Sequence, residues 1–244
     1  MNLLISDYDG TFYTDEHNIR LNCEAIESFI NDGNMFVLSS GRSLKSLMGK
    51  VEEYKIPFNF LSCCDGSFLF DKNHSMHFAY TLSHDVRNII APLIDLGKHK
   101  TMEYAYPDDY STEYDNKKIL GSIAFTIERN KVDREFLNTF SRIKLNNPEY
   151  QYDTYKYQKE EFYLIRPLGV SKVSPISYLE GKYDIPRGNI FTIGDNTNDK
   201  ELIRDYNGYR IGNNEDLVDV AISEYKAVHE LVNDINQGKV LKRF

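Results

Sequence analysis

Short apolar runs that end in small or acidic residues recur near both ends of the chain. These runs are Leu3–Ile5, Met35–Leu38 and Ile190–Ile193. Runs of this length predict buried strands, and the amphipathic segments between them predict helices, among them 22–32, 44–54 and 172–183. Strands that alternate with helices form parallel sheets. The pattern therefore predicts an α/β fold with a Rossmann-like parallel-sheet core.

The pattern changes between residues 81 and 165. Two helices are predicted there, interleaved with strand-like segments near 101–106, 120–127, 150–157 and 161–165. An order of helix, two strands, helix, two strands is typical of a small α+β domain. We therefore predict a core domain formed by residues 1–80 plus 166–244, into which residues 81–165 are inserted as a smaller α+β cap domain.

Tyrosines are concentrated in the inserted segment, several of them as alternating pairs. The pairs are Tyr104/Tyr106, Tyr150/Tyr152 and Tyr155/Tyr157. Alternation with period two places each pair on one face of a strand. Because tyrosine packs one face and keeps its hydroxyl wet, a structural role is favoured over a stacking platform for a substrate ring.

Composition narrows the classes of function that fit. The chain has 244 residues, of which 41% are hydrophobic and 27% charged, as in folded globular proteins. Its formal charge of −8 argues against a nucleic-acid partner, which requires clustered Lys and Arg. No segment has the pattern of a membrane span or a signal peptide, so we expect a cytoplasmic protein without a membrane partner. The cysteines Cys23, Cys63 and Cys64 lack metal-site spacing, and we expect them to be reduced.

Carboxylates follow two of the predicted strands directly. Asp7 and Asp9 come after the first run, with Gly10 allowing a sharp turn, and Asp195 follows the run that ends at residue 193. Since ligands bind at the carboxyl ends of parallel strands, the three carboxylates are expected to meet. Oxygen ligands without nearby His or Cys suit Mg²⁺. A carboxylate can also attack phosphorus, while a second one transfers the proton.

Residues suited to binding a phosphoryl group lie at similar positions. Ser40 and Gly41 end the second predicted strand and offer a hydroxyl and backbone amides to phosphate oxygens. Lys172 begins a predicted helix and supplies a positive charge. Asn198 and Asp199 are placed to support the metal, its waters and the lysine. Phosphoryl transfer needs this combination of positioning and charge neutralisation.

Four segments in order resemble the motifs of haloacid dehalogenase-type hydrolases, and of their Cof-type sugar-phosphatase branch in particular. They are Asp-Tyr-Asp-Gly-Thr (7–11), Ser-Ser-Gly-Arg (39–42), Gly-Val-Ser-Lys (169–172) and Gly-Asp-Asn-Thr-Asn-Asp (194–199). The resemblance covers essentially the whole chain, including an α/β cap between the second and third motifs. It implies that Asp7 is the nucleophile and Asp9 the acid and base, and that Asp7, the Asp9 carbonyl oxygen and Asp195 bind Mg²⁺.

The resemblance also assigns the remaining site residues. By the same resemblance Ser40 and Lys172 bind the phosphoryl group, and Asn198 and Asp199 assist. We count Gly41 and Asn198 with the phosphate-binding residues, and Thr11, Arg42 and Asp199 as supporting residues. Asp65 and Gly66 stand beside the substrate, where the branch usually has Asn-Gly. The residues after the motif lysine, Val173–Pro175, and the shorter cap also depart from the branch. These departures concern the leaving group and leave the hydrolytic centre intact.

Together these observations predict a Mg²⁺-dependent phosphatase that hydrolyses a small phosphorylated metabolite, a sugar phosphate or a similar phosphomonoester, through an aspartyl-phosphate. Two alternatives stay open: a phosphomutase or phosphotransferase of the same superfamily, and a non-catalytic metabolite-binding regulator. The sequence leaves the physiological substrate, the oligomeric state and the extent of cap motion undetermined.

Overall fold

A computed structural model describes residues 1–244, apart from the side chain of Tyr157. The chain forms two compact units. The first consists of residues 1–78 and 171–244, and the second of residues 79–170. Among the residues so described, no helix combines the length and the apolar character that a membrane crossing requires.

The amino-terminal part of the first unit begins the main sheet. Its elements are β1 (Leu3–Asp7), α1 (Glu16–Asn31), β2 (Met35–Ser39), α2 (Leu44–Tyr54), β3 (Phe60–Cys63), β4 (Phe68–Asp71) and β5 (Met76–Ala79). The predicted start of the first helix at residue 22 is too late. Asp15 caps α1 by accepting hydrogen bonds from the backbone amides of His17 and Asn18, and a cap of this kind fixes where a helix begins.

The second unit is a five-stranded antiparallel sheet packed with two helices. Its elements are α3 (Val86–Asp95), β6 (Thr101–Ala105), β7 (Tyr110–Ser111), β8 (Ser122–Glu128), α4 (Arg134–Asn146), β9 (Tyr150–Tyr157) and β10 (Glu160–Pro167), with strand order β7-β6-β8-β10-β9. Apolar residues at helical spacing on α3 and α4, such as Ile90 and Phe140, share one core with the sheet residues Phe125 and Ile165. The short strand β7 is an addition to the predicted pattern.

Some of the tyrosines of this unit are buried in its core, and others are exposed. Tyr104 and Tyr106 are buried with their rings stacked 6.3 Å apart, although only Tyr104 lies within β6. Tyr152 is also buried, whereas Tyr155 is exposed. The predicted pairing of Tyr155 with Tyr157 falls on a side chain outside the described residues.

The carboxyl-terminal part of the first unit completes the main sheet. Its elements are α5 (Ser174–Tyr183), β11 (Ile190–Gly194), α6 (Lys200–Asp205), β12 (Asn207–Ile211), α7 (Glu215–Val218), β13 (Glu224–Tyr225) and α8 (Val228–Asn236). The eight strands follow the order β13-β12-β11-β1-β2-β3-β4-β5. The predicted α/β class with a parallel-sheet core and a second, smaller mixed unit is confirmed.

The order of the strands decides where polar side chains can meet. β1 lies between β2 and β11 and pairs with both in parallel register. Asp7, the last residue of β1, is directly beside Ser39, the last residue of β2. Because parallel strands end at the same edge, the residues that follow β1, β2 and β11 are brought together there.

Candidate active site

The turn after β1 contacts the segment that follows β11, far along the chain. Gly10 has a φ of +84°, and a Cβ atom at this position would lie 2.5 Å from a carboxylate oxygen of Asp195. Only glycine accommodates both the conformation and the close approach. The hydroxyl of Thr11 donates to Oδ1 of Asp195 at 2.6 Å. This turn therefore fixes the carboxylate of Asp195 next to the end of β1.

Lys172 lies buried between two carboxylates. Its Nζ atom donates to Oδ1 of Asp7 at 2.5 Å and to Oδ1 of Asp199 at 2.7 Å, and its side chain is 1% exposed. The other oxygen of Asp199 accepts hydrogen bonds from the backbone amides of Asp195 and Asn196. Asp199 thus uses both oxygens to hold the lysine and the turn after β11, and the lysine in turn orients Asp7.

The electrostatics of this cluster reflect burial and crowding of negative charge. Burial raises the pKa of Asp7 well above its ordinary value; the neighbouring charges of Asp199 and Asp195 act in the same direction, and Lys172 opposes them. Burial and the charge of Asp199 also raise the pKa of Asp195. Burial alone would lower the pKa of Lys172, but the charges of Asp199 and Asp7 raise it above its ordinary value. The two carboxylates therefore favour the charged form of the lysine.

The same cluster has the ligands of a metal site. Carboxylate oxygens of Asp7, Asp195 and Asp199 all lie within 4.8 Å of one another. Three carboxylates face one ammonium group, so a divalent cation would neutralise the excess negative charge, and an all-oxygen donor set fits a hard cation. Because the oxygens of Asp199 already hold Lys172 and two amides, Asp7 and Asp195 are the side chains left for a metal.

Asp9 occupies a different environment from Asp7. Its two oxygens accept hydrogen bonds from Nε and Nη2 of Arg42 at 2.8 and 2.7 Å, and its side chain is 52% exposed. This two-pronged ion pair is the main reason that the pKa of Arg42 is raised. Arg42 also donates to Ser46 at 3.1 Å and lies over the ring of Tyr8. The carboxylate of Asp9 is thus oriented at the open side of the site.

The loop after β2 and the turn after β3 form a second side of the site. Ser40 is buried, and its hydroxyl accepts the amide hydrogen of Arg42. The backbone amide of Asp65 donates to the carbonyl of Ser40 at 3.1 Å, and that of Cys64 donates to the carbonyl of Arg42 at 2.9 Å. Asn198 donates to Oδ1 of Asp65 at 3.3 Å. Gly41 is therefore enclosed between two backbone hydrogen bonds, next to Asp65.

The structure places the predicted site residues in two linked groups. Asp7, Thr11, Lys172 and Asp199, which are buried, form with the half-buried Asp195 what we call the buried group. Asp9 and Arg42 pair at the open side, and Ser40, Gly41, Asp65, Gly66 and Asn198 surround the loop after β2. The side chain of Asp9 bonds to Arg42 and makes no described hydrogen bond to Lys172 or Asp195, although its backbone is part of the turn that follows Asp7.

One supporting residue is missing from the predicted set. Asn214 caps α7 and donates a hydrogen bond to the backbone carbonyl of Asp195 at 3.2 Å. The sequence signal that could have found it is its position as a helix cap after β12, at the same sheet edge. The cap pattern alone, however, gives no hint that the free amide nitrogen reaches the preceding loop.

Comparison with known proteins gives one family match. The family model for haloacid dehalogenase-like hydrolases matches residues 4–224, and this match confirms the predicted resemblance. A curated relative from Bacillus subtilis, a 5-amino-6-(5-phospho-D-ribitylamino)uracil phosphatase, is 25% identical over 228 residues, which are 88% of this chain and 86% of the relative.

Solved structures share the fold over nearly the whole chain. A haloacid dehalogenase-like hydrolase from Bacteroides thetaiotaomicron aligns with a TM-score of 0.77 at 18% identity, covering 96% of this chain and 99% of its own. A sugar phosphatase of subclass IIB of this superfamily aligns with a TM-score of 0.73 at 13% identity, covering 98% of this chain and 100% of its own. At these identities the structures support the fold alone.

Proposed function

Because the chain belongs to the haloacid dehalogenase-like hydrolase family, we propose that it is a Mg²⁺-dependent phosphatase that hydrolyses a small phosphorylated metabolite through an aspartyl-phosphate on Asp7. The observation that carries the proposal is the buried clamp of Lys172 between Asp7 and Asp199. A lysine so placed orients the nucleophile and offers a fixed positive charge to phosphoryl oxygens.

In the first step the carboxylate of Asp7 attacks phosphorus. The bond from phosphorus to the ester oxygen breaks, and an acyl phosphate forms on Asp7. Asp9 enters this step protonated and gives its proton to the departing alkoxide, which leaves as an alcohol. Asp9 is then a carboxylate. Lys172 and the loop at Ser40 and Gly41 hold the phosphoryl oxygens, so that the attack follows a single line.

In the second step water hydrolyses the acyl phosphate. Asp9 removes a proton from the water, whose oxygen attacks phosphorus, and the bond to Asp7 breaks to release inorganic phosphate. Asp9 thereby regains the proton it lost. The exposed position of Asp9 suits both transfers, since leaving group and water must each reach it. The two-pronged ion pair with Arg42 orients the carboxylate of Asp9.

The residues that would hold Mg²⁺ are Asp7, Asp195 and the carbonyl oxygen of Asp9. When bound, the ion supplies positive charge that offsets the crowded carboxylates and the charge of the phosphate. Thr11 and Asn214 support this arrangement by holding the side chain and the carbonyl of Asp195.

We propose that the substrate is a sugar phosphate or a similar phosphomonoester. Support comes from the relative in Bacillus subtilis, whose named substrate carries its phosphate on a ribityl chain. We also propose a division of labour, in which residues 1–80 and 166–244 carry the chemistry and the inserted residues 81–165 act as a cap that selects the leaving group. The division of the chain into two compact units with nearly these bounds supports it.

The test is release of inorganic phosphate from a panel of sugar phosphates, polyol phosphates, nucleotides, pyridoxal phosphate and flavin mononucleotide. Wild type and Asp7→Asn are compared with Mg²⁺ and with EDTA. Release that requires both Mg²⁺ and Asp7 supports the proposal. Release that persists in EDTA or in Asp7→Asn would contradict it.

The same assay separates the alternatives. A phosphomutase or phosphotransferase passes the phosphoryl group to an acceptor, so free phosphate would appear only slowly without one. A metabolite-binding regulator would bind members of the panel by calorimetry and release no phosphate from any of them.

A further inference from the structure

The turn after β3 presents a carboxylate to the phosphate-binding loop. Cys64, Asp65 and Gly66 all have positive φ, at 52°, 51° and 91°. Asp tolerates this left-handed conformation better than most residues. The conformation lets the turn fold back, so that its backbone bonds to Ser40 and Arg42 on either side of Gly41.

Contacts on two sides hold this turn in place. A Cβ atom on Gly41 would lie 3.2 and 3.3 Å from the two carboxylate oxygens of Asp65, so the carboxylate packs directly on the Gly41 backbone. A Cβ atom on Gly66 would lie 2.0 Å from the carbonyl oxygen of Ser171, the residue before Lys172. The turn thus fits between the two segments that are proposed to bind the phosphoryl group.

The carboxylate of Asp65 also contributes charge to the site. Its one described side-chain partner is the amide nitrogen of Asn198, at 3.3 Å, which is a long hydrogen bond from a neutral donor. This carboxylate also interacts electrostatically with Lys172. Burial lowers the pKa of that lysine, and the charges of Asp199, Asp7 and, third in size, Asp65 raise it. Asp65 therefore retains acceptor capacity and repels further negative charge near the phosphate.

We propose that Asp65 is a specificity-determining residue, which favours phosphomonoesters with hydroxyl or amino groups near the ester and rejects those with a second anionic group. This inference rests on the proposed function. A carboxylate only accepts hydrogen bonds, so donors on the leaving group can pair with it, whereas a carboxylate or second phosphate on the substrate meets uncompensated repulsion.

The test uses two three-carbon esters that share a hydroxyl next to the phosphorylated carbon. Glycerol 3-phosphate ends in a hydroxymethyl group, and 3-phosphoglycerate ends in a carboxylate. The ratio of kcat/KM for the first over the second is measured with Mg²⁺ for wild type and for Asp65→Asn, which preserves shape and tolerates positive φ. The ratio should favour glycerol 3-phosphate in wild type and fall by about tenfold in Asp65→Asn, because a charged acceptor is lost and a repulsion removed.

Salt dependence provides a second readout that a purely structural role would not move. Raising the ionic strength should lower the wild-type ratio of kcat/KM values more steeply than the ratio for Asp65→Asn, because the variant lacks one of the charges that salt screens. A ratio that stays the same in both proteins, with both rates changed by one common factor, would overturn the proposal and make Asp65 a residue that only shapes the turn.

Binding separates this inference from the proposed function. Calorimetry with Mg²⁺ in the Asp7→Asn background, with and without Asp65→Asn, measures the preference for the two esters without turnover. A preference that changes with Asp65→Asn supports the inference even if wild type releases no phosphate. Absence of phosphate release would contradict only the proposed hydrolase activity. If the preference between the two esters is the same with and without Asp65→Asn, the inference is overturned. The assay of phosphate release then still tests the proposed hydrolase activity.

Discussion

Asp7 and Asp9 lie two residues apart in one turn, yet their surroundings differ in almost every respect. The side chain of Asp7 is 8% exposed and bonded to a buried lysine, whereas that of Asp9 is 52% exposed and bonded to an arginine at the open side. The first environment suits a group that must be fixed and attack along one line. The second suits a group that exchanges protons with a leaving group and with water. One turn thus separates the two tasks by burial.

Removing the buried carboxylate of Asp7 is the most direct test of the difference between Asp7 and Asp9. Asp7→Asn should reduce phosphate release by at least about 10⁴-fold, because the amide cannot form the acyl phosphate. Thermal stability should not fall, since Lys172 keeps Asp199 and one buried negative charge disappears. Steady-state assays and melting curves test this, with Asp32→Asn on the surface as the matched control. Near-normal turnover would move the nucleophile elsewhere.

Removing the cation of the buried group is expected to be the next largest effect. Lys172→Met leaves Asp7 and Asp199 buried without their partner, so stability should fall by about 3–5 kcal/mol and activity by about 10³-fold. Part of the stability should return with Mg²⁺, which replaces positive charge. Denaturant unfolding with and without Mg²⁺ measures this. Lys72→Met, on the exposed turn after β4, is the control, and equal stability of the two variants would refute the clamp.

The proposed role of Asp9 in the second step can be tested by following the release of the first product over time. Asp9→Asn should lower steady-state turnover of p-nitrophenyl phosphate by about 10²-fold, because no base activates water for the second step. Nitrophenolate needs no proton to leave, so the first step should survive. Stopped-flow absorbance should then show a burst equal to the enzyme concentration. A loss of turnover without a burst would place the defect in the attack itself.

The smallest expected effect is at Arg42, which orients Asp9. Arg42→Lys keeps a positive charge but cannot form the two-pronged contact, so kcat should fall by about tenfold while KM changes little. In the Asp9→Asn background the same change should have almost no further effect. A double-mutant cycle of kcat measures this coupling. Additive losses would show that Arg42 acts on the phosphate rather than through Asp9.

Much of this arrangement could be predicted from the sequence, because apolar runs and motif order specify the strands and the residues at their ends. The order of the sheet, with β1 beside β11, is implied by the motifs rather than by any local pattern. The two-pronged ion pair of Arg42 with Asp9 could not be predicted, since it joins side chains 33 residues apart and Arg42 also lies over the ring of Tyr8. The start of α1 was missed because Asp15 caps the helix within a polar stretch that lacks clear periodicity.

The hydrogen bonds of the site also differ in how far along the chain they reach. Asp9 and Arg42 are 33 residues apart, while Asp7 and Lys172 are 165 apart and Thr11 and Asp195 are 184 apart. During synthesis the exposed pair can form early, but the buried group waits for almost the whole chain, and until β11 arrives one edge of β1 stays unpaired. Contacts of such long range form slowly, and an open edge invites wrong pairing. The nascent chain is therefore most exposed to aggregation just before its active site is assembled.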